Sequence, residues 1–241
     1  MQNSDGISRR SLLKATGVGV GAAALGLSAA DSLAMKKCAG TPKALQFDNA
    51  SFYKDGKFDV EKGKDAIIAL MKYHNCPVFA RTREKLWVSD YNTGQFTKLG
   101  LAADMFVNNE ADRYMLMDLY LLPGQMLPEH WHLDPQGDLP EKHEGWFIRH
   151  GLSYVAGEGE DNLKDFPITI PKCHCGGTTT TKHIVKATPG VFVPLKNPER
   201  SPKHWQFGGP EGAIITEVAN VHSNPDVRHQ DKAMNDFFLK G

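Results

Sequence analysis

From Lys85 onward the chain is cut by Gly and Pro into short runs rich in aromatic and β-branched residues, and this rhythm constrains the fold more than any other feature. "KLWVSDY" is followed by the Gly-containing turn "NTGQF", and "RYMLMDLYLLPG" ends in Pro-Gly. "GWFIRHGLSYVAG", "HIVKATPGVFVPL" and "GAIITEVANV" supply further strands, spaced roughly ten to fifteen residues apart. The expected fold is all-β: a single-domain antiparallel β-sandwich or jelly-roll barrel with a few peripheral helices. The clearest helix is "FDVEKGKDAIIALMKYH", where Ile67, Ile68, Leu70 and Met71 fall at helical spacing. "DKAMNDFFLKG" reads as a short closing helix. "DLPEK" and "DFPITIPKCHCGGTTTTK" read as long surface loops on one rim.

Met1 to Ala34 has a different character. "SRRSLLK" sets paired arginines before leucines and a lysine, "ATGVGVGAAALGLSAA" is mildly apolar, and "SLA" supplies small residues for cleavage. The apolar run is too weak and too short for a membrane span, and no later segment is a better candidate. The twin arginine resembles a bacterial Tat signal, which implies the Tat translocation machinery as a partner and a periplasmic or secreted mature protein. The expected division is 1–34 signal, 35–80 an N-terminal arm with one helix packing on the barrel, 81–230 the barrel, and 231–241 a C-terminal helix or tail. Lys+Arg and Asp+Glu both number 28, and no basic stripe appears, so nucleic acid is not an expected partner. An exported protein can oxidise its cysteines, which makes Cys38–Cys76 a disulfide to consider. In "KCHCGG", Cys173 and Cys175 offer a metal or disulfide reading, and a single C-x-C is a weak signal of either.

The chemistry concentrates in "PEHWHLDPQGDLPEKHEGW", Pro128 to Trp146. Residues i and i+2 of a strand share a face, so His130 and His132 project one way and Trp131 the other. Two adjacent imidazoles make half of a first shell for a divalent metal. Gly124 ahead of His130-x-His132 resembles the first motif of the cupin superfamily. "TPGVFVPLKNPERSPKHWQFGG", with Gly190 and then His204, is similar to its second. A cupin shell of three histidines and one carboxylate leaves positions open, which suits Mn²⁺ or Fe²⁺ better than a closed tetrahedral Zn²⁺ site. Co²⁺ and Zn²⁺ remain alternatives to Mn²⁺.

Asp134, Asp138, Glu141 and Glu144 all follow the histidine pair. Asp134 and Asp138 lie in "DPQGD", whose composition is that of an exposed turn. Glu144 opens the next strand, and a strand holds a ligand more rigidly than a loop, so Glu144 is favoured over Glu141. His143, the other nitrogen donor nearby, would point to the opposite face from Glu144.

Four segments in order are similar to the D-lyxose (D-mannose) isomerase family, cupin enzymes that interconvert aldoses and ketoses with Mn²⁺. They are "WVSDYNTGQFTKLGL", "GQMLPEHWH", "EKHEGWFIRHG", and the stretch from "TPGVFVPL" through "AIITEVANVHSNPDVR", together spanning Trp87 to Arg228. The resemblance implies metal ligands His130, His132, Glu144 and His204, and polar catalytic roles for Lys142 and Glu217. Two departures stand out. The family passes from its second histidine to its glutamate in a shorter span, whereas here His132 and Glu144 are twelve positions apart. The extra "LDPQGDL" reads as a loop inserted at the barrel mouth. "KDFPITIPKCHCGGTTTTK" is a second excursion, expected to cover the same mouth.

The implied reaction is aldose–ketose isomerisation of a small free sugar, of the D-lyxose/D-xylulose or D-mannose/D-fructose type. Glu217, among apolar residues in "AIITEVANV", would have the raised pKa that a general base needs. Lys142 would donate a proton to the carbonyl oxygen or hold developing charge there. Asp90, Arg149 and Arg228 are expected to bind sugar hydroxyls, although each is also a common barrel-end salt-bridge residue. Trp87, Trp131, Trp146 and Trp205 could include a stacking platform, with core packing the default for each. Two rivals share the ligand set: a cupin oxygenase using Fe or Ni, which a wholly apolar pocket would favour, and a non-catalytic periplasmic sugar- or metal-binding cupin. Cupins often pair through their sheets, so a homodimer is a further expectation.

Overall fold

The computed structural model describes residues 44–133, 142–195 and 201–240. The signal reading of Met1–Ala34, Cys38, and the Asp134, Asp138 and Glu141 alternatives all lie outside the described residues.

The elements follow in chain order. A small hairpin, β1 (Tyr53–Lys54) with β2 (Lys57–Phe58), precedes α1 (Val60–Tyr73) and the single turn α2 (Thr82–Lys85). Then come β3 (Trp87–Ser89), β4 (Leu101–Asn109), β5 (Tyr114–Leu121), β6 (Met126–His132) and β7 (Glu144–Gly157). The chain ends with β8 (His183–Ala187), β9 (Phe192–Pro194), β10 (His204–Ala219), β11 (Val227–His229) and α3 (Lys232–Lys240). Strands β3 to β11 form one sheet in the order β11-β6-β10-β5-β4-β3, with β7 also on β10 and carrying β8 and β9. All named pairings are antiparallel, as the strand texture leads one to expect. The sheet curls into a half-barrel of cupin type, mostly β with few helices.

Side-chain alternation divides each long strand between two cores. Met115, Met117, Leu119 and Leu121 of β5, Trp146 and Ile148 of β7, and Ala213 and Ile215 of β10 fill the concave face. Ala102, Tyr120 and Ile214, at the intervening positions, face outward onto α1. That helix starts where the Asp59 carboxylate accepts the Glu61 and Lys62 N–H groups, relieving two otherwise orphaned donors. It buries Ile67, Leu70 and Met71, each worth about 1.5–3 kcal/mol of apolar burial. Among the described residues, no helix is long and apolar enough to cross a membrane.

β10 is the spine. Its first part pairs with β6 and its second with β5, while β7 runs beside both. The turnover falls at "GGPEG", where the β7–β10 register breaks between Gly208 and Ala213. There Gly151 (φ +71°) and Gly212 (φ +72°) approach so closely that a Cβ on Gly151 would lie 2.1 Å from the Gly212 carbonyl oxygen. Only glycine fits both the backbone angle and the contact.

The excursion between β7 and β8 does not cover the barrel mouth, and this corrects the sequence-based expectation. Leu163, Phe166, Ile168 and Ile170 pack on Tyr154, Ile184 and Trp205, a third apolar cluster. Farther along, Glu129 of β6 accepts N–H and O–H bonds from both Thr180 and Thr181. Glu129 alternates with His130, so the Thr180–Thr181 end of the excursion sits on the face of β6 that points away from the histidines.

Candidate active site

His130 and His132 share one face of β6, and His204 opens β10 directly opposite His130 in the ladder. The three imidazoles converge: one ring nitrogen from each lies within 4.8 Å of the other two, and all three residues are buried. The proline two positions earlier sets the tautomer for two of them. His130 Nδ1–H donates to the Pro128 carbonyl and His204 Nδ1–H to the Pro202 carbonyl, each at 2.9 Å. A carbonyl only accepts, so the proton is on Nδ1 and Nε2 presents its lone pair inward.

Glu144 enters from β7, where it pairs with Ala219 of β10. Its Oε1 lies 3.1 Å from His132 Nε2 and 3.2 Å from His204 Nε2. Neither approach has hydrogen-bond alignment, and all three atoms are buried without a hydrogen-bond partner. Close donors with no proton between them fit a common cation: bonds of about 2.1 Å at right angles set neighbouring ligand atoms about 3.0 Å apart. Burial lowers the pKa of His130, His132 and His204, that of His132 to about 3, so all three imidazoles are neutral at physiological pH. Burial works against the charge on Glu144, but the Lys142 ammonium beside it holds its pKa well below the usual carboxylate value. The donor set therefore fits a divalent metal on geometry, tautomer and protonation.

Lys142 links this cluster to a second carboxylate. Its Nζ lies 2.8 Å from Glu144 Oε2 and 2.5 Å from Glu217 Oε1. The other Glu217 oxygen accepts the Trp146 indole N–H at 3.2 Å. Burial pushes the Glu217 pKa up to about 8, with Glu144 adding to the rise and Lys142 opposing it. Lys142 is itself held at about 12, because its two carboxylate neighbours outweigh its burial. One ammonium thus serves two carboxylates: Glu144 keeps its charge, and Glu217 is poised to exchange a proton.

A cavity of about 550 Å³ opens over these groups, a size suited to a small ligand. Its wall is mostly apolar, with Leu101, Met117 and Leu119 at depth and Trp87 and Tyr91 to one side. His130, His132, Lys142 and Glu217 interrupt that wall. Of the four tryptophans only Trp87 lines the cavity, half exposed. Trp146 and Trp205 are core residues, and Trp131 faces away beneath the Lys203 ammonium, 4.9 Å from its ring centre.

Six of the sequence-selected residues come together here: His130, His132, Glu144, His204, Lys142 and Glu217. Three do not line the cavity. Asp90 is buried under β3, where its carboxylate accepts the Tyr53 hydroxyl and the Asn92 and Gly94 N–H groups, building the turn that follows. Arg149 lies on the outer face of β7 beside Asp118. Arg228 faces outward from β11 and donates to the Pro225 and Val227 carbonyls. His143 is exposed, with its backbone N–H bonded to Asn220.

Two cavity histidines were missed. His229 lies opposite His130 across the β6–β11 pairing, with both ring nitrogens buried and unpartnered. His222 donates Nε2–H to Asn224 and leaves Nδ1 without a partner. Burial lowers both, His222 to about 4 and His229 to about 3. The signal for His229 was present: Val227 and His229 share a strand face, whereas Arg228, between them, takes the other.

Comparison with known proteins gives the chain's relatives. A D-lyxose/D-mannose isomerase of Thermosediminibacter oceani is 30% identical over 170 residues, spanning 70% of this chain and 89% of that protein. A D-lyxose ketol-isomerase of Cohnella laeviribosi is 30% identical over 160 residues, spanning 66% and 84%. No protein-family model matches the chain. Among solved structures, L-ribose isomerases of Cellulomonas parahominis and Acinetobacter sp. DL28 superpose with TM-scores of 0.51 and 0.52 at 13% identity. Both alignments cover 74% of this chain and 94% of the other, and they show a shared fold.

Proposed function

Because the chain belongs to the D-lyxose/D-mannose isomerase family of sugar isomerases, we propose that it interconverts a small free aldose and its ketose by proton transfer beside a divalent cation. His130, His132, Glu144 and His204 would hold that cation, and Mn²⁺ best suits a set of three imidazoles and one carboxylate with open positions. When bound, it would polarise the sugar carbonyl and stabilise charge on its oxygen. The observation that carries the reading is the Lys142–Glu217 pair, set against Glu144 at the edge of the histidine cluster.

The chain's own residues supply the remaining chemistry. Glu217 takes the C2 proton of the open-chain aldose and returns it to C1 of the enediol, giving the ketose. Lys142 donates a hydrogen bond to the carbonyl oxygen as charge develops, and its contact with Glu217 keeps the two groups in register. Trp146 fixes the second Glu217 oxygen, so the base presents one edge to substrate. The apolar wall strips water from the sugar face and strengthens each polar contact inside. A buried acid–base pair favours this reading over an oxygenase, for which a wholly apolar pocket is the expectation.

The test is incubation of the Mn²⁺-loaded protein with D-lyxose, D-mannose and other aldoses in D₂O. Deuterium at C2 of the aldose or C1 of the ketose is the expected result. Metal-loaded protein that introduces none into any sugar overturns the proposal. The same reading keeps Met1–Ala34 as a Tat-type signal. A reporter fused behind it should lose export when Arg9 and Arg10 are both changed to Lys.

A further inference from the structure

A second cluster of donors lies apart from the cavity, in the "KCHCGG" turn that the isomerase site does not use. His174, Cys175 and Asp231 each place a ligand atom within 4.8 Å of the other two. His174 is fully buried, and neither of its ring nitrogens has a hydrogen-bond partner. A neutral imidazole carries one N–H and one lone pair, so a buried ring with both idle leaves an unmet demand. Cys175 and Asp231 are half-buried, so the cluster has an open side.

Asp231 is already oriented as a ligand would be. One carboxylate oxygen accepts the Cys175 N–H at 2.8 Å, and the other accepts the Ala233 and Met234 N–H groups where α3 begins. The turn is held independently of any ion, because Glu129 binds Thr180 and Thr181 and the Trp205 indole N–H donates to the Thr181 carbonyl. The scaffold for a ligand set is therefore formed in advance.

We propose that His174, Cys175 and Asp231 form a second metal site, selective for a borderline-soft divalent ion of the Zn²⁺ class. A thiolate and a carboxylate together balance a divalent charge, and thiolate with imidazole is the donor combination that suits Zn²⁺ or Co²⁺. Three protein ligands on a half-open face leave the fourth position to water or an external ligand. Binding joins the excursion between β7 and β8 to the segment carrying His229, a wall residue of the isomerase cavity. The two sites differ in kind, since no cysteine lies among the cavity ligands. Loss of isomerase activity and loss of this site are therefore separable results.

Co²⁺ titration of the reduced full-length protein tests the assignment, because only a thiolate ligand gives a sulfur-to-cobalt charge-transfer band. The band should appear in the parent, vanish in Cys175→Ser and survive in Cys173→Ser. His174→Gln should weaken Co²⁺ binding at least about tenfold, given that even outer partners of metal ligands are worth about 10–100-fold. Circular dichroism melting of each variant confirms that the fold is intact. No band in the parent, a band that persists in Cys175→Ser, or one that follows Cys173 instead overturns the proposal.

Discussion

His204 and His130 face each other as a cross-strand pair, and each donates its Nδ1–H to the carbonyl of the proline two residues before it. The chain uses Pro-x-His-Trp twice, at Pro128–Trp131 and Pro202–Trp205, to present an imidazole lone pair to the same point. Replacing either histidine removes a donor without disturbing the ladder. His204→Ala and Glu144→Gln should each sharply lower bound metal, by at least about tenfold in affinity. Glu141→Gln should leave metal content nearly unchanged. Metal analysis of the dialysed variants checks this ranking, and the reverse ranking would mean that Glu141 rather than Glu144 is the ligand.

Glu217 and Lys142 act at a different stage. Glu217→Gln keeps the bond from Trp146 but loses the proton acceptor, so turnover should fall about 10²–10⁴-fold while metal content stays the same. Lys142→Met should also depress turnover. It leaves Glu144 and Glu217 as buried carboxylates without their shared cation, so it should lower stability by about 3–5 kcal/mol as well. Single-turnover rates, metal content and urea midpoints measured on the same preparations separate the two effects. A Glu217→Gln enzyme with parental turnover would exclude this carboxylate as the base.

Much of this site was legible because strand parity is a strong constraint. His130-x-His132 must share a face, and Glu144 at the mouth of a strand must point with Trp146, two residues on. The same parity places Arg149 and Arg228 outside, since each is an odd number of residues from an inward neighbour on its own strand; their charge drew attention that their register does not support. One strand escaped whole and another in its first half, for physical reasons. β4, "LAADMFVNN", carries Ala102 and Asp104 on a face covered by the N-terminal helices, so it lacks the usual apolar–polar beat. β10 is legible only from "GAIITEVANV" onward, because it runs unbroken through "GGPEG", which has turn composition and is accommodated as a register break against β7. The fold of the β7–β8 excursion was not legible at all, because its anchor, Glu129, lies 51 residues from Thr180 in sequence.

Glu129 gives the third prediction. It is fully buried and accepts the N–H and O–H groups of both Thr180 and Thr181. Glu129→Ala strands the buried Thr181 donors and should cost about 1–3 kcal/mol for each group left unpaired, whereas Glu129→Gln keeps one acceptor and should cost less. Hydrogen exchange should show faster opening of the segment around Thr180 in the Ala variant, with α1 amides changed only through global unfolding. Equal effects of the two substitutions would show that volume, not hydrogen bonding, is what Glu129 contributes.

The last prediction concerns pH. Asp104 and Asp118 are register partners across β4 and β5, both buried on the outer face, and one Asp104 oxygen has no hydrogen-bond partner. Arg81 lies 3.4 Å from Asp104, but burial outweighs it, and the Asp104 pKa is raised; Asp118 is raised by burial too. A raised carboxyl means that the folded state holds its proton longer than the unfolded chain. The stability this contributes is therefore greatest below the unfolded value and is lost as pH rises through the folded one. Asp104→Asn removes the penalty, so at pH 7 it should raise the melting temperature. The advantage should shrink toward zero as pH falls below the ordinary carboxylate range, where the parent is protonated in both states. Melting curves of parent and variant across that range decide the matter: a variant less stable than the parent at pH 7 would show that the Arg81 ion pair, not burial, governs this position.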